Sequence, residues 1–410
     1  MTRPLALTLS GRRLPRLASV FALSILMATL GCGDAGSPTA TEPEPALNTS
    51  SVPAFSFRQL STGDSHACGV TTDSLAYCWG DNHYGQLGDG TTTSRLAPVA
   101  VRGGLRFRSV RAGTDHSCGI AGNGRAFCWG SNGLGQLGDG TTSTAGRLTP
   151  VAVQGGLSFR NVSAGRVYTC GVTTEDKAYC WGFGFYGQLG DGTVSGLPRT
   201  RPTPVAGGIR FQSVSAGSRH TCGLSTVKRA YCWGDNGYGQ VGDSTEINGR
   251  SAPVRVAGGR WYKGLDAGQF HTCAVTIDGE AFCWGNGRAG QFGNGRAYLS
   301  FWPRRVAGGL LFRNVAAGGS HSCGVSTNER TYCWGFNSDG QLGDGTTTQR
   351  LTPALVVGGL QFASLSGGEF FSCGLTTGAR AYCWGSNRVG QLGDGTRTGR
   401  LRPVAVSGTT

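Results

Sequence analysis

Lysine is almost missing from this chain of 410 residues: Lys177, Lys228 and Lys263 are all there is. The formal net charge of +14 is therefore arginine charge. It comes without a Lys/Arg run or an array of stacking aromatics, so nucleic acid is not an expected partner. Long apolar runs are scarce as well, and the stretch from Leu17 to Ala28 is too short for a comfortable membrane span. No helical periodicity stands out, which argues against a helical domain. No glycine-rich phosphate loop, Ser-His-Asp order or pair of catalytic carboxylates stands out either, and these are the common enzyme signatures. The short C-x2–4-C knuckle of structural zinc is also absent.

What is present is repetition. Glycine accounts for 72 residues, spaced periodically between Trp, Tyr, Phe, Val and Leu, the pattern of tight turns between short strands. One unit of the form A-G-x-x-H-x-C-G…A-Y-C-W-G…G-Q-L-G-D-G-T…P-V occurs seven times, beginning near residues 54, 105, 157, 209, 260, 310 and 360. Its first cysteines are Cys68, Cys118, Cys170, Cys222, Cys273, Cys323 and Cys373, spaced by 50, 52, 52, 51, 50 and 50 residues. A fixed period of this length decides the architecture before any local reading. In the second unit, alternation predicts strands at Arg106–Val110, His116–Ile120, Arg125–Gly130 and Pro150–Val153, with a long loop from Ser131 to about Leu148. Four short antiparallel strands in each of seven units predict an all-β fold, a seven-bladed β-propeller over residues 54–410. An open β-solenoid is the alternative. Whether the termini share a blade is left open.

Each unit also carries a second cysteine at C-x9-C spacing: Cys78, Cys128, Cys180, Cys232, Cys283, Cys333 and Cys383. If Cys68 faces Cys78 in a hairpin, Val70 faces Ala76, the turn centres near Asp73, and the two Cα atoms lie roughly 4.5 Å apart, within disulfide range. His66, Cys68 and Cys78 could instead supply metal ligands. Fourteen evenly paired cysteines behind a secretion signal favour disulfides, and no metal or cofactor is expected.

That signal is residues 1–32. Arg12, Arg13 and Arg16 precede the apolar run, and Thr29-Leu30-Gly31-Cys32 follows it. Cys32 resembles the lipidated cysteine of a bacterial lipoprotein, although Thr29 stands where leucine is usual. The alternatives are a membrane-anchored lipoprotein and an ordinary secreted protein, and Arg12-Arg13 is a weak twin-arginine candidate. Residues 33–53, rich in Pro, Thr and Ser, read as a flexible tether. Beyond a lipid, no membrane contact is expected, and the chain reads as a monomer.

The segment Cys78-Trp79-Gly80-Asp81-Asn82-His83-Tyr84-Gly85-Gln86-Leu87-Gly88-Asp89-Gly90 is similar to the repeat of the regulator of chromosome condensation family. The resemblance covers all seven units and implies a seven-bladed propeller, here a secreted bacterial member. It does not imply a single activity. The eukaryotic nuclear member is a nucleotide exchange factor for a small GTPase, other members are scaffolds, and a secreted bacterial one inhibits β-lactamases. Signal and cysteines put this chain outside the cytoplasm, which disfavours the exchange-factor role.

A residue kept in every unit serves the frame, so function is sought where the units differ. His66, His116, His220, His271 and His321 share one position with Tyr168 and Phe371; a position that accepts Phe is packing, not catalysis. The tryptophans, one per unit, read as inter-blade core. Arg95, Arg147, Arg201, Arg250, Arg350 and Arg400 stand three residues before the repeat proline and are expected to pair with the G-D-G aspartate of their own unit. Unit five carries Asn294 in place of that aspartate.

The variable positions lie in the loops after strands one and three, which antiparallel order places on one face. Asp64, Asp115, Arg166, Val167, Arg219, Phe270, Glu369 and Phe370 precede the repeat histidine position, and Tyr186, Phe301 and Trp302 come from the long loops of units three and five. Aromatics and arginine on a rigid ring are the material of binding hot spots. The expected function is a non-enzymatic extracytoplasmic scaffold that binds a protein or glycan at the cell surface. The alternative is an extracellular hydrolase or lyase, which would need a carboxylate or histidine cluster confined to one or two blades in the central funnel. Thiol counting on the unfolded, unreduced protein should find almost none free; many free thiols would count against the disulfide frame.

Overall fold

The computed structural model describes residues 55–409. The signal, Cys32 and the whole tether lie outside the described residues. Blade one sets the pattern: β1 Phe57–Thr62, β2 His66–Thr71, β3 Ala76–Gly80 and β4 Arg95–Ala100 form an antiparallel sheet in chain order. Six more four-stranded sheets follow, each from one continuous stretch of chain. The fold is the seven-bladed propeller that the repeat predicts, and no blade is shared between the termini.

The second-unit strands appear at Phe107–Ala112, His116–Ala121, Ala126–Asn132 and Ser143–Ala152. The last begins well before the expected Pro150. Backbone pairing to Asn132 and Gly130 extends the strand through residues that lack apolar alternation, so no period signals it.

The first strand of each blade lines a central channel and the fourth lies outermost. The apolar residues therefore form seven clusters, one at each blade interface. Between blades one and two, Cys68, Val70, Ala76, Cys78 and Leu87 pack on Phe107, Val110 and Trp129. All seven C-x9-C pairs are disulfides, with the cysteines directly opposed and Cα atoms 4.0–4.1 Å apart. Val70 faces Ala76 as the hairpin geometry requires. Each bridge thus stiffens a hairpin and supplies apolar surface to the next blade.

Polar atoms fix the spacing between blades. The Gln86 carbonyl accepts the indole N–H of Trp129 at 2.9 Å and the hydroxyl of Ser117 at 2.9 Å, both from blade two. The indole bond recurs around the ring and crosses the chain-end seam, from Trp79 to the Gln391 carbonyl at 3.1 Å. The seam is further held by a parallel bridge between Phe55 and Thr409. One element changes there: Ala67 and Phe371 stand where other interfaces pair a hydroxyl with a histidine or tyrosine, and both are buried in the seam cluster.

At the top of the first strands the channel narrows to a neck built on the repeat A-G glycines, Gly63, Gly113, Gly165, Gly217, Gly268, Gly318 and Gly368. Each stands against the carbonyl oxygen of the next, and the last against the first. A Cβ on Gly63 would fall on the Gly113 carbonyl. Gly63→Ala should cost at least about 2 kcal/mol in a denaturant titration, because backbone must move. Gly122→Ala, where a Cβ meets nothing within 4 Å, should change stability by less than about 0.5 kcal/mol.

Candidate functional site

The repeat histidines belong to the frame. His66 Nε2 lies 2.8 Å from Ser117 Oγ, whose own hydrogen goes to the Gln86 carbonyl. The ring therefore donates from Nε2, and Nδ1 stays bare and buried with no partner. His116, His220, His271 and His321 repeat the contact with the next blade's Thr169, Thr272, Ser322 and Ser372. Burial pushes His66, His116, His220 and His271 down to about 3 and His321 to about 4, so all five are neutral. Tyr168 keeps the contact by other means: its hydroxyl lies 3.0 Å from that of Thr221 and donates to the His220 carbonyl at 2.6 Å.

The arginines also serve the frame. Arg95, Arg147, Arg250, Arg350 and Arg400 pair with Asp89, Asp139, Asp243, Asp344 and Asp394 of their own units. In unit three the expected Arg201 is not the partner: Arg199 reaches Asp191, at 3.2 Å. Cys180 pairs with Thr203 as Cys78 pairs with Val99, so the repeat proline of unit three is Pro202, and Arg199 lies three before it. Hydrogen bonds from Thr91 and Arg95 hold Asp89 ionised, below the usual carboxylate range despite its burial. In unit five both members change: Ser300 takes the arginine's register position and Asn294 the aspartate's.

The loops after strands one and three do share a face, since the Asp81 N–H bonds the Ser65 carbonyl. Asp64, Asp115, Arg166, Phe270 and Glu369, from five different blades, line one cup of about 420 Å³ at the mouth of the channel, with Ser218 and Gln269 between them. Burial, and then the charge of Glu369, push Asp64 up to about 6, against a 2.9 Å hydrogen bond from the Thr114 hydroxyl. Asp115 is raised by burial and by Asp81, and Arg166 opposes the shift.

At and around the cup, residues before the histidine position meet the preceding blade's long loop. Arg219 lies 4.6 Å over the Tyr186 ring, Phe270 meets Tyr238 at 5.4 Å, and Phe370 meets Phe336 at 6.4 Å. The Val167 side chain is half-buried, and its carbonyl accepts from the Phe183 N–H. Phe301 and Trp302 are not brought to the cup. They lie on the outer strand Leu299–Arg305, with Trp302 47 % exposed, because the unit-five stretch taken for loop pairs with Asn286 and Gly285 as a fourth strand.

Two residues escaped sequence reading. Arg111 and Asp266 face the channel below the neck, where the same position in the other blades carries Ser61, Ser163, Ser215, Ala316 or Ser366. The signal was present in the repeat, inside strand one, where framework residues were expected.

A closed ring of seven four-stranded blades, each with its own disulfide, defines a seven-bladed β-propeller. The family model described as "Regulator of chromosome condensation (RCC1) repeat" matches residues 73–120, 123–172, 175–224, 229–275, 278–325 and 328–375, and a second model of the same description matches seven stretches from 57–86 to 362–391. The chain belongs to this family. The ultraviolet-B receptor UVR8 of Arabidopsis thaliana is 27 % identical over 250 residues, 60 % of this chain and 57 % of the receptor. The human probable E3 ubiquitin-protein ligase HERC6 is 32 % identical over 136 residues, 32 % of this chain. The chain thus spans a little over half the length of the first and 13 % of the second. Among solved structures, Prp20p from Saccharomyces cerevisiae matches with TM-score 0.69 and 22 % identity over 77 % of this chain and 81 % of its own. Human WBSCR16 matches with TM-score 0.70 and 20 % identity over 77 % and 85 %. The CRINKLY ectodomain of the Arabidopsis thaliana receptor kinase ACR4 matches with TM-score 0.53 and 21 % identity over 81 % and 98 %. At these identities the likeness concerns the fold.

The histidines give the frame an acid limit. An unfolded histidine takes its proton near pH 6.5, a folded one here near pH 3 to 4, so stability is complete above 6.5 and falls as pH drops through that window. His116→Phe, which copies blade seven, should remove up to about 1.4 kcal/mol per pH unit of that slope, read as melting temperature between pH 4 and 7. An unchanged slope would reassign the acid sensitivity.

Proposed function

We propose that the chain is a non-enzymatic extracytoplasmic scaffold that binds a protein or glycan partner on its loop face. The observation that carries the reading is the convergence of five non-repeated side chains, Asp64, Asp115, Arg166, Phe270 and Glu369, in one cup on an otherwise repeated ring. The cup mixes carboxylates, a guanidinium and an aromatic ring, and Arg219 on Tyr186 and Phe370 on Phe336 flank it. A rigid support lowers the ordering cost of binding.

Seven disulfides agree with an oxidising compartment. Residues 1–32 read as an export signal, with Cys32 as the lipidation point and residues 33–53 as the tether. Structural relatives bind proteins themselves: Prp20p has binding properties toward Gsp1p and histones, and yeast RCC1 has been solved with Kap60 bound to it. The repeated histidines, carboxylates and tryptophans are committed to hydrogen bonds within the frame, which supports a role without catalysis.

The combined replacement Arg219→Ala, Phe270→Ala and Phe370→Ala should reduce capture of the partner from an envelope and secreted fraction at least about tenfold, with the melting temperature unchanged. Undiminished capture would remove the loop face from the reading.

A further inference from the structure

Below the glycine neck the channel opens into a second chamber of about 410 Å³, lined by the first strands and separate from the loop-face cup. That volume falls in the range of about 300–1,000 Å³ of small-molecule sites. Most of its polar lining is occupied by the frame. Ser61, Ser163, Ser215 and Ser366 each accept a backbone N–H from the next blade, at 2.9–3.1 Å. In blade five Asp266 takes over this duty: one carboxylate oxygen accepts the Ala317 N–H at 2.9 Å, and the other the Ser215 hydroxyl at 2.8 Å.

Arg111 does not. It replaces the frame serine of blade two, its one hydrogen bond among the described residues is to the Val110 carbonyl at 3.2 Å, and it forms no ion pair there. Burial pushes the guanidinium down from its ordinary value, and the charge of Asp266 works against that shift. Arg111 is half-buried against the chamber wall, so most of its five N–H donors are left for a ligand, and an anion is the partner they suit best.

The rim supports the same conclusion. At the turn-side end of the first strands, Arg58, Arg108, Arg160, Lys263 and Arg313 occupy one repeat position, all exposed. Arg160 pairs with Asp176 and Arg313 with Glu329, whereas Arg58, Arg108 and Lys263 meet no carboxylate among the described residues. Positive charge gathered at this end of the first strands draws anions toward it.

We propose that this chamber binds an acidic sugar, a hexuronate or the end of a polyuronate chain, with its carboxylate on Arg111 and its hydroxyls on Asp266 and the polar first-strand side chains. One guanidinium facing one carboxylate suits a monoanion rich in hydroxyl donors. A phosphate dianion would bring its second charge against Asp266, and a neutral sugar would leave Arg111 unpaired.

Isothermal titration of the full chain with glucuronate, glucose and inorganic phosphate tests this, alongside Arg111→Ser, which restores the residue that the repeat itself uses. Glucuronate should bind, with glucose and phosphate at least about tenfold weaker. Arg111→Ser should lose at least about tenfold in glucuronate affinity while melting no lower than the parent, and the triple loop-face variant should bind glucuronate as the parent does. The proposal is overturned if glucuronate gives no heat at about 10 mM, if phosphate binds as well as glucuronate, if Arg111→Ser retains the affinity, or if the loop-face variant loses it.

Discussion

One carbonyl oxygen per blade holds this molecule together. The repeat glutamine offers its backbone oxygen to the next blade, and at six interfaces an indole N–H and a hydroxyl share it, as Trp129 and Ser117 share Gln86. Both lone pairs are thereby used inside a dry interface, where an unmet acceptor would be expensive. The glutamine side chain points back into its own loop, where Gln86 Oε1 accepts the Tyr84 N–H at 2.8 Å. One residue thus ties the long loop to itself and to the neighbouring blade. The disulfide hairpins, aromatic clusters and glycine neck all presuppose the spacing that it sets.

Because frame side chains are bonded to one another within and between units, departures from the repeat come in matched sets. Unit five loses the aspartate and the arginine of the loop ion pair together. The Asn294 side-chain amide instead donates to the Tyr298 hydroxyl at 2.9 Å, and Ser300 Oγ accepts from Arg304 at 2.8 Å. Losing one member alone would have left a charge half-buried without its partner, which costs more than losing both. Unit three exchanges histidine for Tyr168 and keeps a hydroxyl contact with the next blade. Arg111 breaks this rule, since no compensating carboxylate pairs with it in blade two.

Much of the fold was legible because the repeat samples the same structure seven times. The cysteine spacing gave the hairpin register to the residue, and the shared histidine, tyrosine and phenylalanine position was rightly read as framework. The start of the fourth strand was not legible, because its edge pairing leaves no apolar period behind. Arg201 misled because Pro202 and Pro204 both resemble the repeat proline, and backbone register alone separates them. Of the candidate face, five of the eight residues before the histidine position did converge, since they share one turn in every blade. Phe301 and Trp302 did not, because a strand in unit five runs through what looked like loop. Arg111 and Asp266 were hidden by the assumption that a strand position belongs to the frame throughout.

The chain-end seam differs in kind from the other interfaces. It keeps the indole bond of Trp79, but sets Phe371 against Ala67 where its neighbours run a polar string. Apolar burial is non-directional, whereas a hydrogen-bonded string demands alignment as it forms. Six junctions can therefore set the pitch of the growing arc blade by blade, each tied by a covalent connection and a polar gauge. The seventh must join two ends that approach through space, and its greasy contact lets them slide into place. The tolerance of the ring is concentrated where assembly has to finish.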